Sequence, residues 1–276
     1  MQVWLSLLLY LAAAVFLVGL GWRLLNWLRT PVPLKIPLTP GPADRRGVLW
    51  RLGGELFAFR ALWRANRSLW TPAWIFHVAL VLLLIGHFGG LETPRFACAT
   101  LGGMQAAFCR VACDVGLPFA GGLTGMSMAQ FGHFEDISGG LVGAVALAAL
   151  LWLLLRRLLA ERVRSISTFS DYFALLLLLL IIVTGNDMRF MGGLNIEQAR
   201  QFVAGWLALH PTPAPADPVF TMHILLVCAL LIYIPFSKLV HIGGAALFSP
   251  TLNQRNNPRQ RRYTGPWDKT NASATA

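Results

Sequence analysis

The sequence predicts an all-α membrane protein built as a bundle of five transmembrane helices. Hydrophobic residues make up 56% of the 276 positions and charged residues only 13%. The apolar residues also form continuous runs of about 20, long enough as helices to cross a hydrocarbon core of about 30 Å. The predicted spans are residues 3–24, 72–91, 137–155, 171–188 and 219–240.

The first span resembles a signal peptide in its position and apolar character. However, no Lys or Arg precedes it, and no small-residue cleavage site follows it before Trp22, Arg23 and Trp27. A secretory signal peptide carries both features. We therefore expect this span to be a retained, uncleaved anchor.

The positive charges predict the orientation of the bundle. Of 23 Lys and Arg residues, eight lie in 29–71, four in 156–168 and six from 238 onward, whereas 92–133 and 189–218 hold two each. Cytoplasmic loops are enriched in Lys and Arg. The N-terminus is therefore predicted outside and the C-terminus in the cytoplasm. The net charge of +11 is then a topology signal with some attraction to anionic lipid, and no nucleic-acid partner is predicted.

The cytoplasmic segment 31–71 is predicted to contain a linker and a surface helix. Five prolines between positions 31 and 42 favour an extended tether. Residues 48–70 interleave apolar and aromatic residues with Arg51, Arg60, Arg64 and Arg67. This pattern is typical of an amphipathic helix lying on the membrane with its basic residues toward the phosphates. The same surface is a candidate for partner binding.

The C-terminal residues differ in composition from the rest of the chain. Beyond Ser249 the hydrophobicity is low and five residues are Lys or Arg. Such a segment cannot bury enough apolar surface to fold alone. We predict a membrane domain at 1–248 and a cytoplasmic tail at 249–276 that becomes ordered against a partner.

Four histidines are the main candidates for a functional site. His77 and His87 lie in the second predicted span, and His223 and His241 lie at the two ends of the fifth. Ionisable side chains are costly in a bilayer, so intramembrane histidines indicate a functional partner. In the predicted orientation His87 and His223 are toward the outside, and His77 and His241 toward the cytoplasm. The sequence thus predicts two stacked sites.

The spacing of the histidines constrains their helices. At 1.5 Å per residue, the axial offset is about 15 Å from His77 to His87 and about 27 Å from His223 to His241. The offsets differ, so either the helices tilt or His241 lies beyond the regular end of its helix. Eighteen residues return to the same helix face and ten fall about 80° away, so both pairs can face one bundle interior.

Two imidazoles on facing transmembrane helices favour a haem with two histidine ligands. The iron takes axial ligands from opposite sides, and the apolar ring fills the space between helices. Zinc usually takes three or four protein ligands, and no thiolate or carboxylate lies within helical reach of these histidines. Gly86, Gly243 and Gly244 would let a flat macrocycle approach the backbone. The alternative is that each histidine is an interior residue bonded to a neighbouring carbonyl.

The histidine-bearing segments also resemble a known family. AWIFHVALVLLLIGHF and FTMHILLVCALLIYIPFSKLVH resemble the dihaem cytochrome b subunit of respiratory nitrate reductase, its gamma subunit, in both histidine intervals and in five-helix topology. The family includes the membrane cytochromes of heterodisulfide-reductase-like complexes and of the sulfite-reductase-linked complex of sulfur-metabolising microbes. The segments ELFAFRALWRANRSLWTPAWIFH and FSPTLNQRNNPRQRRYTGPWDK are more similar to this second branch.

The resemblance implies a function and a set of partners. The chain would exchange electrons between the quinone pool, menaquinone in this branch, and a cytoplasmic iron-sulfur subunit, through two haems b in the inner membrane. It implies a role in dissimilatory sulfur metabolism and further membrane and periplasmic redox subunits. The outer pair, His87 and His223, would hold the haem near the quinol site, and the inner pair, His77 and His241, the haem facing the cytoplasmic subunit. A gamma-type subunit of a respiratory nitrate reductase is the alternative within the family.

Several polar residues are candidate acceptors of a quinol proton. GHFEDIS brings His133, Glu135 and Asp136 to the outer end of the third span, and GNDMRF brings Asp187 and Arg189 to the outer end of the fourth. A carboxylate or imidazole hydrogen-bonded to the quinol hydroxyl could accept its proton. Alternatively, these charges mark the membrane interface. Arg189 is also a candidate partner for a haem propionate, because its guanidinium forms a fixed fork.

The cysteines give little functional signal. Cys98, Cys109 and Cys113 fall in an outer loop where oxidation can occur, and a bridge from Cys98 to either of the others stays open. Cys228 lies in a span and is predicted to pack there. The sequence has no CxxCH and no CxxC motif, so neither covalent haem nor a cluster site is indicated. Iron-sulfur clusters are therefore assigned to a partner.

Two other function classes remain as alternatives. The sequence has no Walker A, GxSxG, HExxH or GxGxxG motif, which removes the common soluble enzyme classes. A transporter or assembly factor in which the histidines relay protons or bind a metal ion is the main rival. A membrane anchor with a purely structural haem is the other. A reduced b-type absorption band would exclude the transporter. Reduction of the haems by quinol would exclude the purely structural haem.

Overall fold

The structure is a computed structural model that describes residues 3–30, 42, 44–87, 128–241 and 244, with side chains inside residues 128–159 described from Gly139 onward. Regular secondary structure in these residues is helical, without strands. The helices are α1 (Val3–Arg29), α2 (Arg45–Ala58), α3 (Arg60–Ala65), α4 (Arg67–His87), α5 (Met128–Leu159), α6 (Glu161–Arg164), α7 (Phe169–Phe190), α8 (Ile196–Leu207) and α9 (Pro218–Tyr233). Two 3-10 segments, Ile234–Phe236 and Lys238–Val240, follow α9.

Five helical segments are long and apolar enough to cross a membrane. They are Val3–Arg29, Arg67–His87, Gly139–Leu159, Phe169–Phe190 and Pro218–Phe236. At most 28% of the most apolar part of each segment is fully buried within the protein, so most of these side chains keep some exposed surface. The prediction of an all-α bundle with five spans is confirmed. The N-out orientation stays a prediction.

The chain divides into two compact units. The first contains Met1–Arg23 and Asn66–Leu239, and the second contains Leu24–Ala65 and Val240–Ala276. The first unit therefore holds most of the five spans, together with His77, His87 and His223. The second holds α2, α3 and His241. The predicted boundary after residue 248 lies outside the described residues and stays a prediction, as does the tail 249–276.

Helices α5 and α7 form the centre of the first unit. Helix α4 packs along α5, α5 along α7, and α7 along α9, and in the described part α4 and α9 do not pack along each other. Small residues let the helices approach closely, which favours association in lipid. The buried cluster consists of Phe76, Ala79, Ala146, Ala149, Leu150 and Ile182. Both histidine-bearing helices, α4 and α9, are thus held by the α5–α7 pair.

A short helix that the sequence did not predict covers one end of the bundle. The segment 189–218 was predicted as an outer loop, but it contains α8, which begins where Asn195 Oδ1 accepts from the backbone N–H of Gln198 at 3.1 Å. Phe202 of α8 is buried with Leu5 and Phe220. The amphipathic pattern of α8 is shorter than a span, so it is lost in a search for long apolar runs.

The fifth span is α-helical over only part of its predicted length. Helix α9 ends at Tyr233, and Pro235, which has no N–H to donate, lies in the 3-10 segment that follows. From His223 to Tyr233 is ten residues of α-helix, about 15 Å, the same rise as from His77 to His87. His241 lies beyond the regular helix. The offset of about 27 Å expected for one continuous helix therefore does not apply.

The predicted surface helix at 48–70 is broken into shorter elements. Helix α2 ends at Ala58 and is capped by Phe59, which adopts a left-handed conformation with φ 49° and donates its N–H to Gly54 O. The Glu55 carboxylate then accepts from the N–H of Ala61 in α3 at 2.8 Å. Asn66 accepts from Leu69 N–H at 3.0 Å as α4 begins. A single helix was wrong because these polar side chains satisfy helix ends locally.

We expect Gly19→Ala to destabilise the protein and Gly21→Ala to leave it stable. A β-carbon at Gly19 would lie 2.9 Å from Cβ of Pro235, whereas one at Gly21 meets nothing within 4 Å. Overpacking of this kind costs about 1–3 kcal/mol. Thermal unfolding of both variants in detergent measures the difference. A Gly19→Ala protein as stable as Gly21→Ala would contradict this packing of α1.

Candidate functional site

The two histidines of α4 are held in the same way by their own helix. The Nδ1–H of His77 donates to Ala73 O at 2.7 Å, and that of His87 donates to Leu83 O at 2.6 Å. A carbonyl oxygen can only accept, so Nδ1 carries the proton and Nε2 carries the lone pair in both rings. The carbonyl bonds expected by the alternative reading are present. They involve Nδ1 of each ring.

His223 of α9 is held by a neighbouring helix. Its Nδ1 lies 2.9 Å from Oγ1 of Thr184 in α7. A β-carbon at Gly185 would lie 3.5 Å from Cε1 of His223, so the ring packs against the backbone of α7. His223 is partly buried, whereas His87 is not covered by the protein. Helix α7 therefore provides both a polar partner and a flat surface for this imidazole.

The predicted partners His87 and His223 lie on α4 and α9, which both pack against the α5–α7 pair. Their pairing stays a prediction. His241 follows the second 3-10 segment and is exposed. It belongs to the second compact unit, and its pairing with His77 stays a prediction.

The available donors suit a haem better than a polydentate metal site. In the described part of the chain, no three His, Cys, Asp or Glu side chains form a metal-binding group. His87 and His223 instead offer one imidazole from each of two helices, which is the ligand set of a bis-histidine haem. A histidine ligand commonly donates its other ring N–H to an oxygen, as the Nδ1 atoms do here. The residues present therefore fit haem b.

The candidate proton acceptors differ in what the structure says of them. Asp187 is in the last turn of α7, three residues after Thr184, so the two lie on one side of that helix. Arg189 crosses α5 at Gly139, where a β-carbon would lie 3.3 Å from its Nε. The side chains of His133, Glu135 and Asp136 lie outside the described part of α5. Their roles, like those of Asp187 and Arg189, stay predictions.

Polar contacts connect the C-terminal end of α5, the N-terminal end of α7 and the C-terminal end of α9. Asp171 Oδ1 lies 3.0 Å from Lys238 Nζ, and Asp171 Oδ2 lies 3.5 Å from Arg157 Nη1. The Tyr233 hydroxyl donates to Ser170 O at 3.0 Å. These contacts fix the chain just before the segment that carries His241.

Cys228, predicted to pack, is buried in α9. Cys98, Cys109 and Cys113 lie outside the described residues.

Sequence reasoning missed Thr184 and Gly185. Both lie in the stretch IIVTGND, where polarity rises at the end of an apolar run. Such a change is also expected wherever a helix leaves the membrane. Nothing in the sequence showed that this part of α7 faces His223.

Comparison with known proteins places the chain among membrane cytochromes. Residues 121–251 match the family model described as nitrate reductase gamma subunit. The chain is 33% identical to the Hdr-like menaquinol oxidoreductase cytochrome b-like subunit of Archaeoglobus fulgidus, over 94% of this chain and 81% of that protein. It is 28% identical to the subunit of the same name from Archaeoglobus profundus, with the same coverage.

A bacterial relative is itself a nitrate reductase gamma chain. The chain is 28% identical to the nitrate reductase gamma chain of Bacillus subtilis, over 66% of this chain and 75% of that protein. The Archaeoglobus similarities extend over nearly the whole chain, including both histidine-bearing helices. The chain therefore belongs to the family of nitrate reductase gamma subunits and Hdr-like menaquinol oxidoreductase cytochrome b-like subunits.

Proposed function

We propose that this protein is a membrane cytochrome b-type redox subunit that exchanges electrons between the quinone pool and a cytoplasmic iron-sulfur subunit. One observation carries the proposal. His87 and His223 lie on two helices that pack against the same α5–α7 pair, and the Nδ1 atoms of both rings are engaged by oxygens. The relatives named as cytochrome b-like subunits of menaquinol oxidoreductases support the same function.

The proposal assigns two haems b to the four histidines. His87 and His223 would hold the outer haem, and His77 and His241 the inner one. The rise of about 15 Å from His77 to His87 along α4 supports two sites at different depths. Each haem, when bound, supplies one-electron transfer. The histidines would supply Nε2 ligands, and the Nδ1 contacts of His77, His87 and His223 would fix the orientation of those rings.

Asp187 is the acceptor that the proposal favours for the quinol proton. It lies one helical turn from Thr184, the residue in contact with His223, and it is partly buried at the end of α7. A carboxylate there can accept a proton from a quinol hydroxyl as an electron leaves toward the outer haem. Glu135 and Asp136 remain alternatives for this role, and Arg189 a candidate propionate partner.

The cytoplasmic partner is proposed to be an iron-sulfur subunit of the heterodisulfide-reductase-like type. The Archaeoglobus similarity, which spans nearly the whole chain, supports the heterodisulfide-reductase-like branch. A place in dissimilatory sulfur metabolism is part of the proposal. The arginine-rich helices α2 and α3 and the tail 249–276 are the proposed docking surface. The inner membrane is the proposed location, with further redox subunits in the same complex. Quinol oxidation outside with electron delivery inside would move charge across the membrane.

A respiratory nitrate reductase is the second candidate complex. The match of residues 121–251 to the nitrate reductase gamma family model favours it. The two candidates share the haem and quinol chemistry. They differ in the soluble partner, so co-purification with the native complex distinguishes them.

Replacement of single histidines tests the haem assignment. We expect His87→Ala or His223→Ala to remove the outer haem and abolish quinol-driven reduction, because each loses one axial ligand. His77→Ala and His241→Ala should remove the inner haem and keep the outer one reducible by quinol. Haem content and redox titration of the purified variants give the result.

The loop residue His210 provides the control for these variants. His210 is exposed, so His210→Ala should keep both haems. Loss of the same haem from His77→Ala and His87→Ala would contradict the pairing.

Asp187→Asn tests the proton acceptor. We expect quinol-driven haem reduction to slow about 10²- to 10⁴-fold, because the amide cannot accept the proton. Dithionite should still reduce both haems at the normal rate. Stopped-flow absorbance with a menaquinol analogue measures this difference. Glu197→Gln, at an exposed side chain of α8, is the control, and equal rates in both variants would remove Asp187 from this role.

A further inference from the structure

We propose that Thr184 is a positioning residue for the outer haem. Its hydroxyl fixes the tautomer and the ring plane of His223. This inference rests on the proposed function, because it takes His223 as a haem ligand. The contact that carries it is the 2.9 Å approach of Thr184 Oγ1 to His223 Nδ1. It joins α7 to α9 inside a membrane-spanning segment.

The direction of this hydrogen bond follows from the neighbours of the hydroxyl. Thr184 Oγ1 lies 2.9 Å from Leu180 O and 3.0 Å from Ile181 O, both of which only accept. A hydroxyl has one proton, and when it donates to a carbonyl its oxygen is left to accept. The oxygen of a hydroxyl that donates to either carbonyl accepts from Nδ1–H of His223, which leaves the lone pair on Nε2.

His223 depends on a side chain in a way that the α4 histidines do not. His77 and His87 donate to backbone carbonyls four residues earlier, which any residue at those positions would supply. The partner of His223 comes from another helix, and only a hydroxyl at position 184 supplies it. Gly185 beside it lets the imidazole lie close to the α7 backbone. The orientation of this ligand is thus set by α7.

The hydrogen bond has a predictable effect on a bound haem. A histidine that donates its second N–H to an oxygen is a more basic ligand, and loss of such a partner typically weakens metal binding about 10- to 100-fold. A more basic ligand stabilises the oxidised iron. Removal of the Thr184 hydroxyl should therefore raise the midpoint potential of the outer haem and weaken its retention.

Thr184→Val is the decisive variant, because it keeps the β-branched shape and removes the hydroxyl. In the purified full-length chain we expect outer-haem affinity to fall about 10- to 100-fold, its midpoint potential to rise, and its low-spin EPR signal to shift. The inner haem should be unchanged. Thr184→Ser, which keeps the hydroxyl, should restore wild-type behaviour. Thr184→Ala replaces the valine variant if that protein does not fold.

Thr221→Val is the matched control on α9. Thr221 lies two residues before His223, and its hydroxyl donates to Asp217 O at 3.0 Å. We expect this change to leave the outer haem unaltered. An unchanged affinity, potential and EPR signal in Thr184→Val, or an equal change in Thr221→Val, would overturn the positioning role while the haem assignment stands. Absence of haem from the unmodified chain would instead overturn the proposed function and this inference with it.

Discussion

The proposed haem site depends on the hydrogen bonds at Nδ1 of the intramembrane histidines. Polar groups within a bilayer have no water to bond, so the protein must supply a partner for each. His77 and His87 use carbonyls of α4, and His223 uses Thr184 of α7. Each bond satisfies Nδ1 of the ring. The same constraint of the membrane thus fixes the orientation of the proposed haem ligands.

The packing of the bundle places these ligands on separate supports. Helices α4 and α9 each pack on the α5–α7 pair, and in the described residues they do not pack along each other. Small side chains such as Ala79 and Ala146 bring the supporting helices close. The arrangement supports His87 and His223 on two helices that share the α5–α7 pair as their packing surface. This geometry suits a flat cofactor ligated from two sides.

The sequence predicted the spans well because their length and apolar character come directly from the thickness of the bilayer. It indicated the histidines as candidate ligands because an ionisable residue in an apolar run is exceptional. The break at Tyr233 was left open as one of two alternatives, although Pro235 was visible, because a proline can either kink or end a helix. Thr184 was missed because its role depends on which face of α7 meets α9. That contact is a tertiary property with no local signal.

The most direct test is to purify the chain in mild detergent and to measure its haem content, its dithionite-reduced spectrum and its reduction by a menaquinol analogue. We expect two haems b per chain, with a b-type band that quinol can generate. A chain without haem, from cells able to supply it, would rule out the haem assignment. The histidines would then belong to proton or metal transport.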